Sequence, residues 1–168
     1  MRVSIFQMRI RIYGIIGGIL ALLLAFAAEI PLSLDNSFII DFYFFRAFRI
    51  RFYCWGYISN GIGYTHITVG FPTNLYAIAI WLFVFLTGII LIMASLPDSD
   101  PSNSFKLYIL SMIMSALVLI FYGYLIFRAF VQDRGASLAT IGVGYYLLII
   151  ILGLNILTFL HLKKEYIL

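Results

Sequence analysis

Four windows of this chain are almost free of charge, and each is long enough to cross a lipid bilayer. They run over residues 12–34, 76–96, 107–127 and 138–160, and the first is interrupted only by Glu29 and Pro31. A helix needs about 20 apolar residues to traverse roughly 30 Å of hydrocarbon. Inside lipid every backbone N–H and C=O must find its partner within the segment, so such windows are expected to be α-helices. The expected fold class is therefore all-α: a four-transmembrane-helix bundle, forming one membrane domain over residues 1–168.

Composition points the same way. Hydrophobic residues make up 64% of the 168 residues and charged residues 11%. A water-soluble domain carries about 25% charged residues, so this chain has too few charges to cover a wetted surface. The net charge of +4 is spread over Arg2, Arg9 and Arg11, over Arg46, Arg49 and Arg51, and over Lys163 and Lys164. Basic residues flanking apolar windows anchor a chain at anionic headgroups. A nucleic-acid footprint is a contiguous basic patch within a known module, and nucleic acid is not an expected partner.

Breaks between the windows are marked by turn chemistry. The run Leu96-Pro97-Asp98-Ser99-Asp100-Pro101 stops the second helix, since proline cannot continue it, and Ser102 or Ser104 is placed to cap the third. Gln132-Asp133-Arg134-Gly135 forms the turn before the fourth, with Ser137 as a cap. These short connections make helices two to four antiparallel neighbours. The first window also has signal-peptide features: the early arginines, apolar residues 15–24, and Ala25-Phe26-Ala27 as a cleavage-like site. A retained helix is the reading adopted.

Orientation follows from the basic residues. With both termini cytoplasmic, the inner side holds Arg2, Arg9, Arg11, Lys106, Lys163 and Lys164, and the outer side holds Arg46, Arg49, Arg51, Arg128 and Arg134. The clusters beside the first and last helices favour this arrangement in the cell membrane.

Residues 35–75 read differently. Phe38, Ile40, Phe42, Phe44, Phe48, Ile50 and Phe52 occupy alternate positions, broken by Arg46, while Asp41, Tyr43, Arg49, Arg51, Tyr53 and Trp55 occupy the others. Period-two alternation with aromatic enrichment is a strand signature. Asn60-Gly61 favours a type I′ turn, and His66-Ile67-Thr68-Val69 reads as the returning strand. The expectation is one small extracytoplasmic β-hairpin between helices one and two. Its polar-aromatic side (Tyr43, Arg49, Arg51, Tyr53, Trp55) is either a contact surface for a partner or a lid on the bundle.

Small residues Gly14, Gly18, Ala21 and Ala25, with Gly17 and Ala28 beside them, form a stripe on helix one. In lipid such a stripe lets helices approach closely, within the chain or between subunits. Glu29 falls near the outer end of helix one and Arg128 near the outer end of helix three, so they form a candidate intramembrane polar pair. Asn155 is expected to make an interhelical hydrogen bond. No catalytic motif, metal-ligand spacing or nucleotide loop appears, and His66 and His161 belong to opposite faces. The single cysteine, Cys54, forms no intramolecular disulfide.

In layout alone, with Tyr53-Cys54-Trp55-Gly56 in the loop after helix one, the chain resembles claudin-like tetraspan proteins. The residue order of that family's loop motif and its second cysteine are lacking, so no residue role carries over. The expected function is that of a non-enzymatic structural or accessory subunit. It assembles through its helices and aromatic loop into a homo-oligomer or larger membrane complex. No cofactor is expected; bound lipid is. The alternatives are a small channel or transport component with a polar site near Glu29 and Arg128, and an interfacial lipid-modifying enzyme.

Overall fold

The computed structural model describes residues 5–31, 39–47, 50–59, 64–66, 75–96, 100–132 and 140–167. Four helices carry most of them: α1 (Ile5–Phe26), α2 (Leu75–Ser95), α3 (Pro101–Gln132) and α4 (Val143–Ile167). Each packs on the next, and α4 closes the bundle against α1. At 1.5 Å rise per residue, α2 is about 32 Å long, α3 about 48 Å and α4 about 38 Å. These three are long and apolar enough to cross a membrane.

The first window departs from expectation. Its helix ends at Phe26, and its apolar described part, Arg11–Phe26, extends only about 24 Å. The chain then leaves helical geometry and enters strand β1 (Glu29–Pro31). Proline has no N–H to donate and disfavours helix in the residue before it, and Glu29 finds a cation outside the helix. The helix expected over 12–34 is therefore shorter at its C-terminal end, and Glu29 is a strand residue.

The loop holds more than one hairpin. Strand β1 pairs antiparallel with β2 (Ile39–Asp41), placing Glu29 opposite Asp41. A second sheet is a four-stranded meander of β3 (Phe45–Ala47), β4 (Ile50–Tyr53), β5 (Gly56–Ser59) and β6 (Tyr64–His66). The alternation read as one long strand thus spans three short ones: β3 and β4 pair antiparallel with Ala47 opposite Ile50. Period-two patterning survives a tight reversal that keeps the faces in phase, so the pattern alone does not count strands. Arg46 lies on β3, an edge strand. Asn60-Gly61, Arg49 and residues 67–69 lie outside the described residues, as do Ser137 and residues 133–135.

Helix ends differ in detail. The residue at the head of α3 is Asp100: its carbonyl accepts from Ser104 N at 2.9 Å, and its side chain lies 3.4 Å from Ser102 N. That is the N-cap position, one residue before Pro101, so neither Ser102 nor Ser104 is the cap. The fourth helix starts at Val143. Ile141 instead bridges to Phe45, and Gly142 N donates to the Phe44 carbonyl at 3.0 Å, which holds residues 140–142 out of the helix.

Where small residues meet, the bundle is tight. A β-carbon on Gly18 would lie 2.6 Å from Ile92 Cγ1 and 2.8 Å from the Gly88 carbonyl oxygen, and one on Gly88 would lie 2.7 Å from Leu22 Cγ. Ala21 and Ala25 are fully buried. The Gly14–Gly18–Ala21–Ala25 stripe is thus occupied within the chain, with the glycines against α2, where backbones approach because no side chain intervenes.

Candidate functional site

The polar and aromatic residues gather where the two sheets meet the bundle end. Strand β4 presents Arg51 and Tyr53 on one face and Phe52 on the other, as pleating requires. Arg51 Nη1 binds Glu29 Oε1 at 2.9 Å and Asp41 Oδ2 at 2.5 Å. The Tyr53 hydroxyl donates to Asp41 Oδ1 at 2.8 Å. Arg51 thereby ties the second sheet to both strands of the first, and the two carboxylates offset its repulsion with Arg46, the cross-strand neighbour of like charge.

The electrostatics follow from this geometry. Burial by itself would lower the Arg51 pKa, but the Asp41 hydrogen bond and the nearby carboxylates outweigh it and the net direction is upward. Burial, then the bond to Asp41 and its charge, push the Tyr53 phenol well up. The Cys54 thiol is also pushed up by burial, which keeps it in the unreactive protonated form. The Tyr43 phenol is raised by burial and then by Asp41.

Aromatic rings fasten the sheets to the helices. Trp55 stacks on Tyr53 at 5.3 Å, and its indole N–H donates to the Ala27 carbonyl at 3.1 Å, one residue past the end of α1. Phe44 stacks on Tyr122 of α3 at 4.5 Å, and Phe45 on Phe52 at 4.5 Å. Trp81 donates to the Ala25 carbonyl at 3.0 Å. Of the side chains expected to form a contact surface, Tyr53 is buried, and Arg51 and Trp55 bind within the chain; Tyr43 is half-buried.

Between this cap and the bundle lies a partly open cavity of about 310 Å³. Phe45, Phe52 and Tyr57 border it from the sheet, Ala77 and Ile80 from α2, and Phe121 and Leu125 from α3. Its lining is mostly apolar, and its size is at the low end of small-molecule sites.

Deeper in the bundle, polar groups are spent on helix contacts. Asn155 Nδ2 donates to Ser111 Oγ at 2.6 Å, linking α4 to α3. The Ser95 and Tyr108 hydroxyls lie 2.7 Å apart, linking α2 to α3. Arg11 donates to the Leu96 carbonyl, linking α1 to the end of α2.

Glu29 is brought to Arg51, whereas Arg128 is exposed on α3. Asp41 is the second carboxylate on Arg51, a role that its place in a period-two alternation does not signal. Gly142 and Gly144 lie inside the fourth apolar window, where nothing in the hydropathy marks them. Gly144 N donates to the Tyr43 carbonyl at 3.0 Å. The sequence signal for them is the Gly142-Val143-Gly144 spacing near the start of that window.

Among the described residues no group of three His, Cys, Asp or Glu side chains is placed to hold a metal ion. No family model, curated protein or solved structure matches this chain, so its chemistry is read from its own residues.

Proposed function

We propose that this chain is a multi-pass integral membrane protein acting as a non-catalytic structural or accessory subunit, with all four helices in the bilayer and both termini on the cytoplasmic side. One observation carries this reading. In the three longest apolar helices only 28–39% of the residues in the spanning window are buried inside the protein. The outward side chains are large and apolar, as with Ile120 at 69% and Phe127 at 65% exposure. Such a surface is stable only against lipid or another apolar chain.

The polar side chains support a structural role, since they hold helices and cap together. Association is assigned to the outward faces of α3 and α4, because the α1 stripe and, in the loop, Arg51, Tyr53 and Trp55 are engaged within the chain. A channel or transport site at Glu29 and Arg128 loses its motivation once Glu29 is held by Arg51. Native mass analysis in mild detergent tests the reading. It is expected to show a homo-oligomer or a complex with other membrane subunits. A stable, lipid-free monomer would overturn the subunit assignment.

A further inference from the structure

We propose that the cavity beneath the sheets holds one acyl chain of an anionic phospholipid, whose phosphate is bound by Arg128. Its position comes first. Ala77 opens the apolar window of α2, and Leu125 lies in the last two turns of the α3 window, which ends at Val131. The cavity therefore sits at the edge of the hydrocarbon, beside the headgroup layer.

Size and lining come second. A volume of about 310 Å³ accommodates roughly ten groups the size of a water molecule, at about 30 Å³ each. Phe52, Phe121 and Leu125 present apolar surface to whatever enters. Tyr124 and Phe127, on neighbouring positions of α3, are 57% and 65% exposed, so the surface beside the cavity is already one that lipid wets.

Charge complementarity comes third. Phe121, Leu125 and Arg128 are spaced by four and three residues, which aligns them along one stripe of α3. Arg128 stands one turn beyond Leu125, towards the headgroup side, and is exposed. Among the described residues no carboxylate pairs with it. A guanidinium matches a phosphate with two parallel hydrogen bonds. A chain tail in the cavity and a phosphate at Arg128 satisfy both ends of one amphiphile. The ligand class is an anionic bilayer phospholipid, since the choline of a zwitterionic one would set a second cation beside Arg128.

The inference rests on the spanning reading, and one experiment separates the two. The full chain is reconstituted into phosphatidylcholine vesicles containing phosphatidylglycerol with a photoactivatable acyl chain, or the same label on phosphatidylcholine. Flotation reads insertion first, and a chain that does not float overturns the spanning reading and this inference together. In a chain that floats, phosphatidylglycerol is expected to label peptides containing Phe52, Phe121 or Leu125. Arg128→Gln is expected to reduce that labelling about fivefold, the factor for one basic contact at a membrane surface, with Arg128→Lys retaining most of it. Ala77→Trp, or the milder Ala77→Leu, fills the cavity and is expected to remove the labelling while helix content by circular dichroism is unchanged. Labelling spread over the outer helix faces and unaffected by Ala77→Trp and Ala77→Leu would overturn the site. Equal labelling by both lipids, or a silent Arg128→Gln, would overturn the headgroup assignment.

Discussion

Gly142 lies so close to Tyr43 that a β-carbon at this position would overlap the Tyr43 carbonyl oxygen. This contact, with the Gly142 N–H to Phe44 and the Gly144 N–H to Tyr43, docks the sheets onto the start of α4. The described strands after α1 are therefore part of the folded body.

Gly142→Ala forces backbone away from backbone. It is expected to destabilise the protein by about 1–3 kcal/mol, the range for overpacking a filled site. Gly153 is the internal control: nothing lies within 4 Å of a β-carbon there, and alanine is the better helix former. Thermal unfolding in detergent is expected to show a lower midpoint for Gly142→Ala and an equal or higher one for Gly153→Ala.

Arg51 is shared unequally. Asp41 is nearer than Glu29 and less exposed, at 20% against 32% of its side chain. Partly exposed pairs contribute about 1 kcal/mol or less. A double-mutant cycle for Arg51→Gln with Asp41→Asn is expected to show the larger coupling, and the cycle with Glu29→Gln the smaller. Equal couplings would contradict the geometry.

Tyr53 makes the cap sensitive to alkali. Its phenol titrates higher in the folded protein than the ordinary value of about 10, so above that pH the unfolded chain releases a proton that the folded chain retains. The stabilisation is complete below about pH 10 and is lost as pH rises towards the folded value. Tyr53→Phe is expected to flatten this part of the stability profile, measured by unfolding across alkaline pH, while lowering stability at neutral pH through loss of the bond to Asp41.

Asn155 and Ser111 form one contact between α4 and α3. Asn155→Ala and Ser111→Ala are each expected to cost about 0.5–2 kcal/mol, the range for hydrogen bonds between membrane helices. The double variant is expected to cost less than the sum, because the second change removes a group the first has already left without its partner.

Uncharged length by itself determined that there are helices, how many, and nearly where α2 begins and ends, because an uninterrupted apolar run of about 20 residues is expected to be helical. Alternation showed that β4 has two unlike faces, since it is a local property of a strand. Only the tertiary structure decided the rest. Glu29 met a cation only once Arg51 of β4 had been brought to β1, and the aromatic stretch proved to be three strands, with Phe45 and Phe52 stacked across the reversal between β3 and β4. Past the end of α1 the Ala28 carbonyl accepts from Phe42 N, and at the start of α4 the Gly142 and Gly144 N–H groups donate to the Phe44 and Tyr43 carbonyls. Hydrophobicity is additive along a chain and legible there, whereas hydrogen bonds, ion pairs and close glycine contacts depend on which segments meet.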